Sequence, residues 1–187
     1  MTALDLTADW PVPHVAGAVL RGGVVVATVG DGLRVQRLAS LSKPMMTWAM
    51  LVAVEEGTIE LDQPVGQPGC TLRHLLAHAG GYSFDGLEPI SRPEVTRIYS
   101  NSGIGLAAQT LEDAAGMTFA EYLTEAVFRP LGMNSSVLRG SAAHGVRSNL
   151  EDTCRFVAEV MRPALIDQAT AADVQRIQYP SLSGIVP

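Results

Sequence analysis

Lysine is almost missing from this chain of 187 residues. Of the 13 basic residues only Lys43 is a lysine, and the others are arginine. Acidic residues number 19, so the formal net charge is −6, and the basic residues form no run. Surfaces that bind nucleic acid carry clustered positive charge. The composition therefore argues against a nucleic-acid partner.

Cysteine and long apolar stretches are also scarce. The two cysteines, Cys70 and Cys154, are too few for a disulfide framework and lack metal-ligand spacing, so ordinary part-buried thiols are expected. No apolar stretch approaches the roughly 20 residues that cross a bilayer. The start, "MTALDLTADWPVPH", has no basic segment and is unlike a signal peptide. These absences favour a cytoplasmic protein without a membrane span.

The residues that are present are typical of a globular domain. Hydrophobic residues make up 47% of the chain, and its length suffices to bury a core. Valine-rich stretches at 15–20 and 24–29 flank "RGG", which predicts a β-hairpin. Helical patterns follow at about 40–56, 72–79, 102–115, 119–129, 149–161 and 171–178. Two strands followed by helices predict an α+β fold, and 80–98 is the longest stretch without a pattern.

Several helix ends carry recognisable residues. Thr118 with Glu121, and Ser148 with Glu151, match the capping-box pattern of a helix start. Gly116 stands where a glycine ends a helix.

The segment "SLSKPMM" combines Ser40 with the single lysine. Proline is tolerated in the first turn of a helix, so Pro44 predicts a helix start near Ser40 and puts its hydroxyl at the positive end of the helix dipole. Ser40 and Lys43, three residues apart, share a helix face. A buried lysine can act as a base and an arginine cannot, so the pair suits an activated serine nucleophile. The alternative is a chance S-x-x-K pattern and a surface lysine.

A second pattern, "YSN" at 99–101, precedes a predicted helix. The phenol of Tyr99 can relay protons, and the amide of Asn101 can both donate and accept hydrogen bonds. The alternative is that Asn101 only caps the helix, which is a common role of asparagine.

Four stretches resemble the serine β-lactamase and penicillin-binding-protein superfamily, in particular the branch with class C β-lactamases, DD-peptidases and related esterases. They are "LASLSKPMMTWAMLVAVEEGTIELDQPV", "TLRHLLAHAGGY", "YSNSGIGLAAQTLEDAAGMTFAEYLTEAVFRPLGM" and "AHGVRSNLEDTCRFV". The first holds the S-x-x-K motif, and the second is similar to T-x-x-x-L-L-x-H-T-S-G. The third holds Y-x-N, and the fourth is similar to A-G-G-x-x-S-T-x-x-D-L-x-x-F. The resemblance covers nearly the whole chain.

This resemblance implies an α+β, β-lactamase-like (DD-peptidase-like) fold, with an antiparallel sheet beside a helical subdomain. The hairpin at 15–29 would belong to the sheet, and about 40–178 would be the mainly helical part of a single domain, 1–187. Ser40 would be the acylated nucleophile, and its N–H would supply half of an oxyanion hole. Lys43 would be the base, Tyr99 the second acid or base, and Asn101 would bind substrate and orient Lys43.

His78 and two glycines are assigned structural roles. His78 in "LLAHAGG" lies at an apolar helix end, where a hydrogen-bonded structural histidine is expected. His74 and His144 have no convincing partner in the sequence. Gly81 and Gly103 are expected at positions that need a glycine backbone.

The family's third motif, K-T-G or H-x-G on a strand near the C-terminus, has no match among these residues. The fold is therefore expected to lack its C-terminal strands in this chain. One explanation is a longer protein of which this is a portion, and the other is a short relative that is silent or completed by a partner. The first is favoured because helical family motifs continue close to "SLSGIVP".

The expected function is that of a serine hydrolase that forms an acyl-enzyme with a small ester or amide, as an esterase, DD-peptidase or β-lactamase does. The alternative is a non-catalytic or partner-completed member that binds a ligand or protein. No metal or organic cofactor is implied. The sequence indicates neither the actual substrate nor the oligomeric state.

Overall fold

The computed structural model describes residues 3–185, and the side chains of 4–184. The strands in chain order are β1 (Ala16–Arg21), β2 (Val24–Gly30), β3 (Gln36–Arg37), β4 (Arg97–Ile98), β5 (Val137–Leu138), β6 (Val146–Ser148) and β7 (Gly184–Ile185). The α-helices are α1 (Ser42–Glu55), α2 (Leu72–Leu76), α3 (Asn101–Ala115), α4 (Phe119–Leu123), α5 (Leu150–Met161) and α6 (Gln168–Val174). Short 3-10 turns at Ala3–Thr7 and Ala39–Leu41 and a π-helical turn at Thr124–Phe128 complete the elements.

The predicted hairpin is confirmed. β1 and β2 pair antiparallel, from Ala16 opposite Gly30 to Arg21 opposite Val24, with an irregularity in the register. Gly22 and Gly23 between them have φ values of 56° and 81°. Two consecutive positive φ angles are what a tight hairpin turn needs, and glycine adopts them without strain.

The prediction of only two strands is wrong. β3, β6 and β5 form a small antiparallel sheet in that order, and β4 pairs with β7 in parallel. These five strands are two or three residues long. Strands so short show no apolar alternation, so the sequence pattern does not reveal them.

Four helix boundaries differ from the predicted ones. α1 begins at Ser42, because the 3-10 turn Ala39–Leu41 occupies the predicted start. α2 ends at Leu76, and His78 beyond it has a left-handed φ of 57°. The predicted 119–129 helix changes to a π-helical turn after α4. α6 lies earlier than predicted, because the N–H of Asp167 before it is bound by the carboxylate of Glu55.

Two of the three capping predictions are confirmed, and one is wrong. The Thr118–Glu121 box at the start of α4 is confirmed, as is Gly116 in the left-handed conformation after α3. The Ser148–Glu151 box is wrong, because Asn149 caps α5 and accepts from the Asp152 N–H at 2.8 Å.

The hydrophobic core is centred on α1, most of whose residues are buried. Met45, Met46 and Met50 have at most 1% of their surface exposed, and α1 packs against α3 and α4. Burying a side chain of this size contributes about 1.5–3 kcal/mol. The core therefore holds in place α1, the helix that begins at Ser42, close to Ser40. Within residues 3–185, no helix combines the length and apolarity that a membrane crossing needs.

Candidate active site

The turn that carries Ser40 is fastened to β6 by Ser42. The Ser42 hydroxyl donates to the Ala39 carbonyl at 2.7 Å and accepts from the Val146 N–H at 3.0 Å. Ser42 is fully buried, and Ala39 has an unusual φ of 48°. These contacts hold Ser40 at the mouth of α1, where the helix dipole favours developing negative charge. This role of Ser42 was not predicted, although Ser42 lies within the S-x-x-K segment.

Lys43 is buried and lies between three oxygen atoms. Its Nζ donates to the Ser40 hydroxyl at 3.1 Å, to Oδ1 of Asn101 at 2.8 Å and to the Ala143 carbonyl at 3.1 Å. An ammonium group has three hydrogens, so this geometry satisfies all of them. The alternative of a surface lysine is therefore wrong. The Ala143 contact was not predicted.

Tyr99 completes the cluster. Nζ of Lys43 lies 4.5 Å from the centre of the Tyr99 ring. Burial acts to raise the pKa of the Tyr99 phenol, but hydrogen-bonding interactions with Lys43 and Ser40, and the charge on Lys43, outweigh it. The pKa of Tyr99 is therefore lowered from its usual value, and the phenol is a better proton donor than a free tyrosine.

Asn101 is the first residue of α3 and not its cap. Ser100 caps the helix, since its hydroxyl accepts from the Gly103 N–H at 2.9 Å. The alternative in which Asn101 serves only as the cap is therefore wrong. The Asn101 amide instead joins two side chains, because its Nδ2 donates to Oδ1 of Asp85 at 3.2 Å while its Oδ1 faces Lys43.

His78 packs against Tyr99. Its ring centre lies 4.6 Å from that of Tyr99, and its Nδ1 accepts from the Ser100 N–H at 3.2 Å. Burial, and then the positive charges of Lys43 and Arg97, lower the pKa of His78 to about 4. At neutral pH the ring is uncharged, which matches its acceptor role and the structural role expected for it.

The expectation that His74 and His144 lack partners is wrong. Nε2 of His74 lies 2.7 Å from the Glu94 carboxylate, and its Nδ1 accepts from the Thr71 N–H at 3.0 Å. Nδ1 of His144 lies 3.1 Å from a guanidinium nitrogen of Arg37. The His74 contacts form a capping box on α2. This box was not predicted, because histidine stands where the pattern has Glu or Gln.

The two glycines behave differently. Gly81 has a φ of 78°, and a Cβ there would lie 2.1 Å from the Ser91 carbonyl, so a side chain is excluded. Gly103 has no positive φ, and a Cβ would meet nothing closer than the Ser100 hydroxyl at 3.5 Å. The expectation is confirmed for Gly81 and wrong for Gly103.

The most prominent groove lies away from this cluster. A groove of about 520 Å³ runs between α1, α2 and α6, and its lining includes Leu51, Leu76 and Val174. None of Ser40, Lys43 and Tyr99 lines it. The chemistry-bearing residues therefore identify the candidate site, and cavity size does not.

The arrangement contains the parts of a nucleophilic site. A hydroxyl lies at a helix mouth, within hydrogen-bond distance of a buried amine, and a phenol with a lowered pKa lies beside both. Such a set can transfer the hydroxyl proton to the amine as the oxygen attacks a carbonyl.

Comparisons with known proteins show what the chain is similar to. A family model described as Beta-lactamase matches residues 7–143. Penicillin-binding protein 4* of Bacillus subtilis (strain 168) is 30% identical over 132 residues, which cover 53% of this chain and 29% of that protein. A β-lactamase of Escherichia coli (strain K12) is 25% identical over 171 residues, which cover 63% of this chain and 45% of that protein. The chain thus spans less than half the length of these curated relatives.

Solved structures share the fold of this chain over most of its length. A β-lactamase from Mycobacterium bovis superimposes with a TM-score of 0.97 at 42% identity, over 100% of this chain and 70% of that chain. A D-stereospecific amidohydrolase from Streptomyces sp. has a TM-score of 0.71 at 19% identity, over 80% of this chain and 68% of that one. The second likeness concerns the fold alone.

Proposed function

Because the chain belongs to the β-lactamase family, we propose that it is a serine hydrolase that forms an acyl-enzyme at Ser40. The observation that carries the proposal is the contact of 3.1 Å between the buried Lys43 amine and the Ser40 hydroxyl. The base in this reaction must be able to lose a proton, which an arginine side chain cannot do. The only lysine of the chain lies at this position, and every other Lys/Arg position is an arginine.

In the proposed reaction Ser40 attacks the carbonyl carbon of an ester or amide. Its hydroxyl proton passes to the neutral amine of Lys43, and the developing oxyanion lies near the positive end of α1. The bond to the leaving alcohol or amine then breaks. Tyr99 donates the proton that the leaving group needs, and Lys43 returns a proton to Tyr99.

Deacylation uses the same groups in reverse. Water attacks the ester of Ser40, its proton passes to the Tyr99–Lys43 pair, and Ser40 recovers its hydroxyl proton as the acid product leaves. Asn101, whose Oδ1 accepts from Lys43 at 2.8 Å, would offer its amide to the substrate. No step requires an oxidant, reductant or further reactant besides water.

The proposed substrates are small esters or amides. The relatives are described as a penicillin-binding protein and β-lactamases. An esterase, a DD-peptidase and a β-lactamase would all use this set of residues. Direct assays with a substrate of each class distinguish among them.

The test is intact-mass measurement after treatment with a fluorophosphonate or benzylpenicillin. We expect a single adduct on the wild-type chain and none on Ser40→Ala. Ser102→Ala is the matched control, since Ser102 adjoins Asn101 and its hydroxyl makes no hydrogen bond among the described contacts. An unlabelled but folded wild-type protein would contradict the proposal and favour a family member that only binds a ligand or partner.

A further inference from the structure

The segment Ser83–Asp85 is fixed against the start of α3. The Ser83 carbonyl accepts from the Ser100 hydroxyl at 2.6 Å, and the Phe84 carbonyl accepts from the Asn101 N–H at 2.8 Å. The Ser83 hydroxyl donates to the Asp85 carbonyl at 3.0 Å. The Phe84 ring also stacks on Tyr99, with the ring centres 6.2 Å apart. Part of a long loop is thus held beside the Ser40–Lys43–Tyr99 cluster.

Asp85 is exposed and uses its side chain in one described contact. Its Oδ1 accepts from Nδ2 of Asn101 at 3.2 Å. Among the described residues, no arginine, lysine or histidine pairs with it. A carboxylate offers acceptors only, so it can bind the NH₂ end of the amide and not the carbonyl end. The orientation that results turns Oδ1 of Asn101 towards Lys43.

Fixing this orientation matters because Lys43 changes protonation state in the proposed reaction. An ammonium group only donates, so by itself it holds the carbonyl end of Asn101. A neutral amine also accepts, and it would tolerate either end of the amide. A second group is needed to keep Oδ1 towards Lys43 in both states, and Asp85 is the group that contacts the other end.

We propose that Asp85 is a positioning residue of the site, whose carboxylate keeps the Asn101 amide oriented towards Lys43. The proposal rests on the proposed function, because its consequence is felt when Lys43 loses and regains a proton. The titratable groups that face Lys43 in the described contacts are Tyr99 and His78.

The first experiment compares the pH–rate profile of Ser40 phosphonylation by a fluorophosphonate in wild type, Asp85→Asn and Glu88→Gln. Asp85→Asn keeps the shape but offers either amide end and no charge, so we expect about tenfold slower labelling. Glu88→Gln removes a charge from the same loop, away from Asn101, and should label like wild type.

Two kinetic results would overturn the proposal. One is an Asp85→Asn profile that coincides with that of wild type. The other is equally slow labelling in Glu88→Gln, which would indicate a general effect of charge on this loop and not the contact with Asn101.

The second experiment does not depend on activity. The side-chain amide signals of Asn101 are assigned in a ¹⁵N-labelled sample by their loss in Asn101→Asp. We expect them to shift in Asp85→Asn and to stay unchanged in Glu88→Gln. Unchanged signals in Asp85→Asn would refute the contact. If wild type proves unreactive, the proposed function fails, and the amide signals still decide whether Asp85 orients Asn101.

Discussion

Helix α1 and the β1–β2 hairpin are both strongly apolar, but they differ in what surrounds them. Met46 and Met50 of α1 are fully buried, whereas Val24, Val25 and Val26 of the hairpin are 59%, 42% and 53% exposed. Apolar composition alone therefore does not decide burial. The candidate site is built on the buried side, where every described buried polar side-chain atom has a partner. The hairpin contributes none of its residues to the described contacts of Lys43.

The largest expected effect lies on the buried side, at Lys43. Lys43→Arg keeps a positive charge but cannot supply a neutral base, so labelling of Ser40 by a fluorophosphonate should slow by about 10²–10⁴-fold. Labelling rates are measured by intact mass, and circular dichroism checks that the variant is folded. A rate within about threefold of wild type would remove Lys43 from the proposed mechanism.

A packing variant tests the same side through stability. Met46→Ala empties space in the core next to the site, so the free energy of unfolding should fall by about 2–5 kcal/mol. Urea denaturation measures this change. A loss below about 1 kcal/mol would mean that α1 is not the tightly packed element described above.

The half-buried His78 should make stability depend on pH. Its pKa is about 4 in the folded chain against an ordinary value of 6.5, so the unfolded chain binds this proton first as the pH falls. The free energy of unfolding should therefore decrease from about pH 6.5 towards pH 4, by on the order of 2 kcal/mol. His78→Gln should flatten this part of the curve, which urea denaturation at several pH values would reveal. An equal slope in the variant would assign the effect to other groups.

The smallest effect is expected on the hairpin. Val26 is about half exposed, so Val26→Thr, which keeps the branched shape, should change the free energy of unfolding by less than about 0.5 kcal/mol. The measurement is the same urea titration as for Met46→Ala. A loss above about 1 kcal/mol would break the comparison, since it would mean that this face is covered in solution.

Much of the site was accessible from the sequence because its motifs are local. S-x-x-K brings Ser40, in the turn before α1, close to Lys43 in the first turn of that helix, and Y-x-N places Tyr99 and Asn101 at the start of α3. The resemblance to the β-lactamase and penicillin-binding-protein superfamily is confirmed, and so is the α+β fold. The catalytic roles of the four residues stay predictions.

The missed contacts have no local signal. The Ala143 carbonyl is a backbone group, and any residue type could supply it to Lys43. Asp85 reaches Asn101 across 16 positions, within a loop that has no periodic pattern. Such contacts depend on which distant segments the fold brings together. Spacing along the sequence does not indicate this.

The three acceptors of Lys43 have a consequence for folding. Ser40 lies three residues away along the chain, Asn101 lies 58 away, and Ala143 lies 100 away. Contacts of large sequence separation form late, because closing long loops costs entropy that only other native contacts offset. The full environment of the amine should therefore arise only when distant parts of the chain have come together. A reagent that labels Ser40, added at successive times during refolding and read by intact mass, would then report when the segments around Ser40, Asn101 and Ala143 have come together.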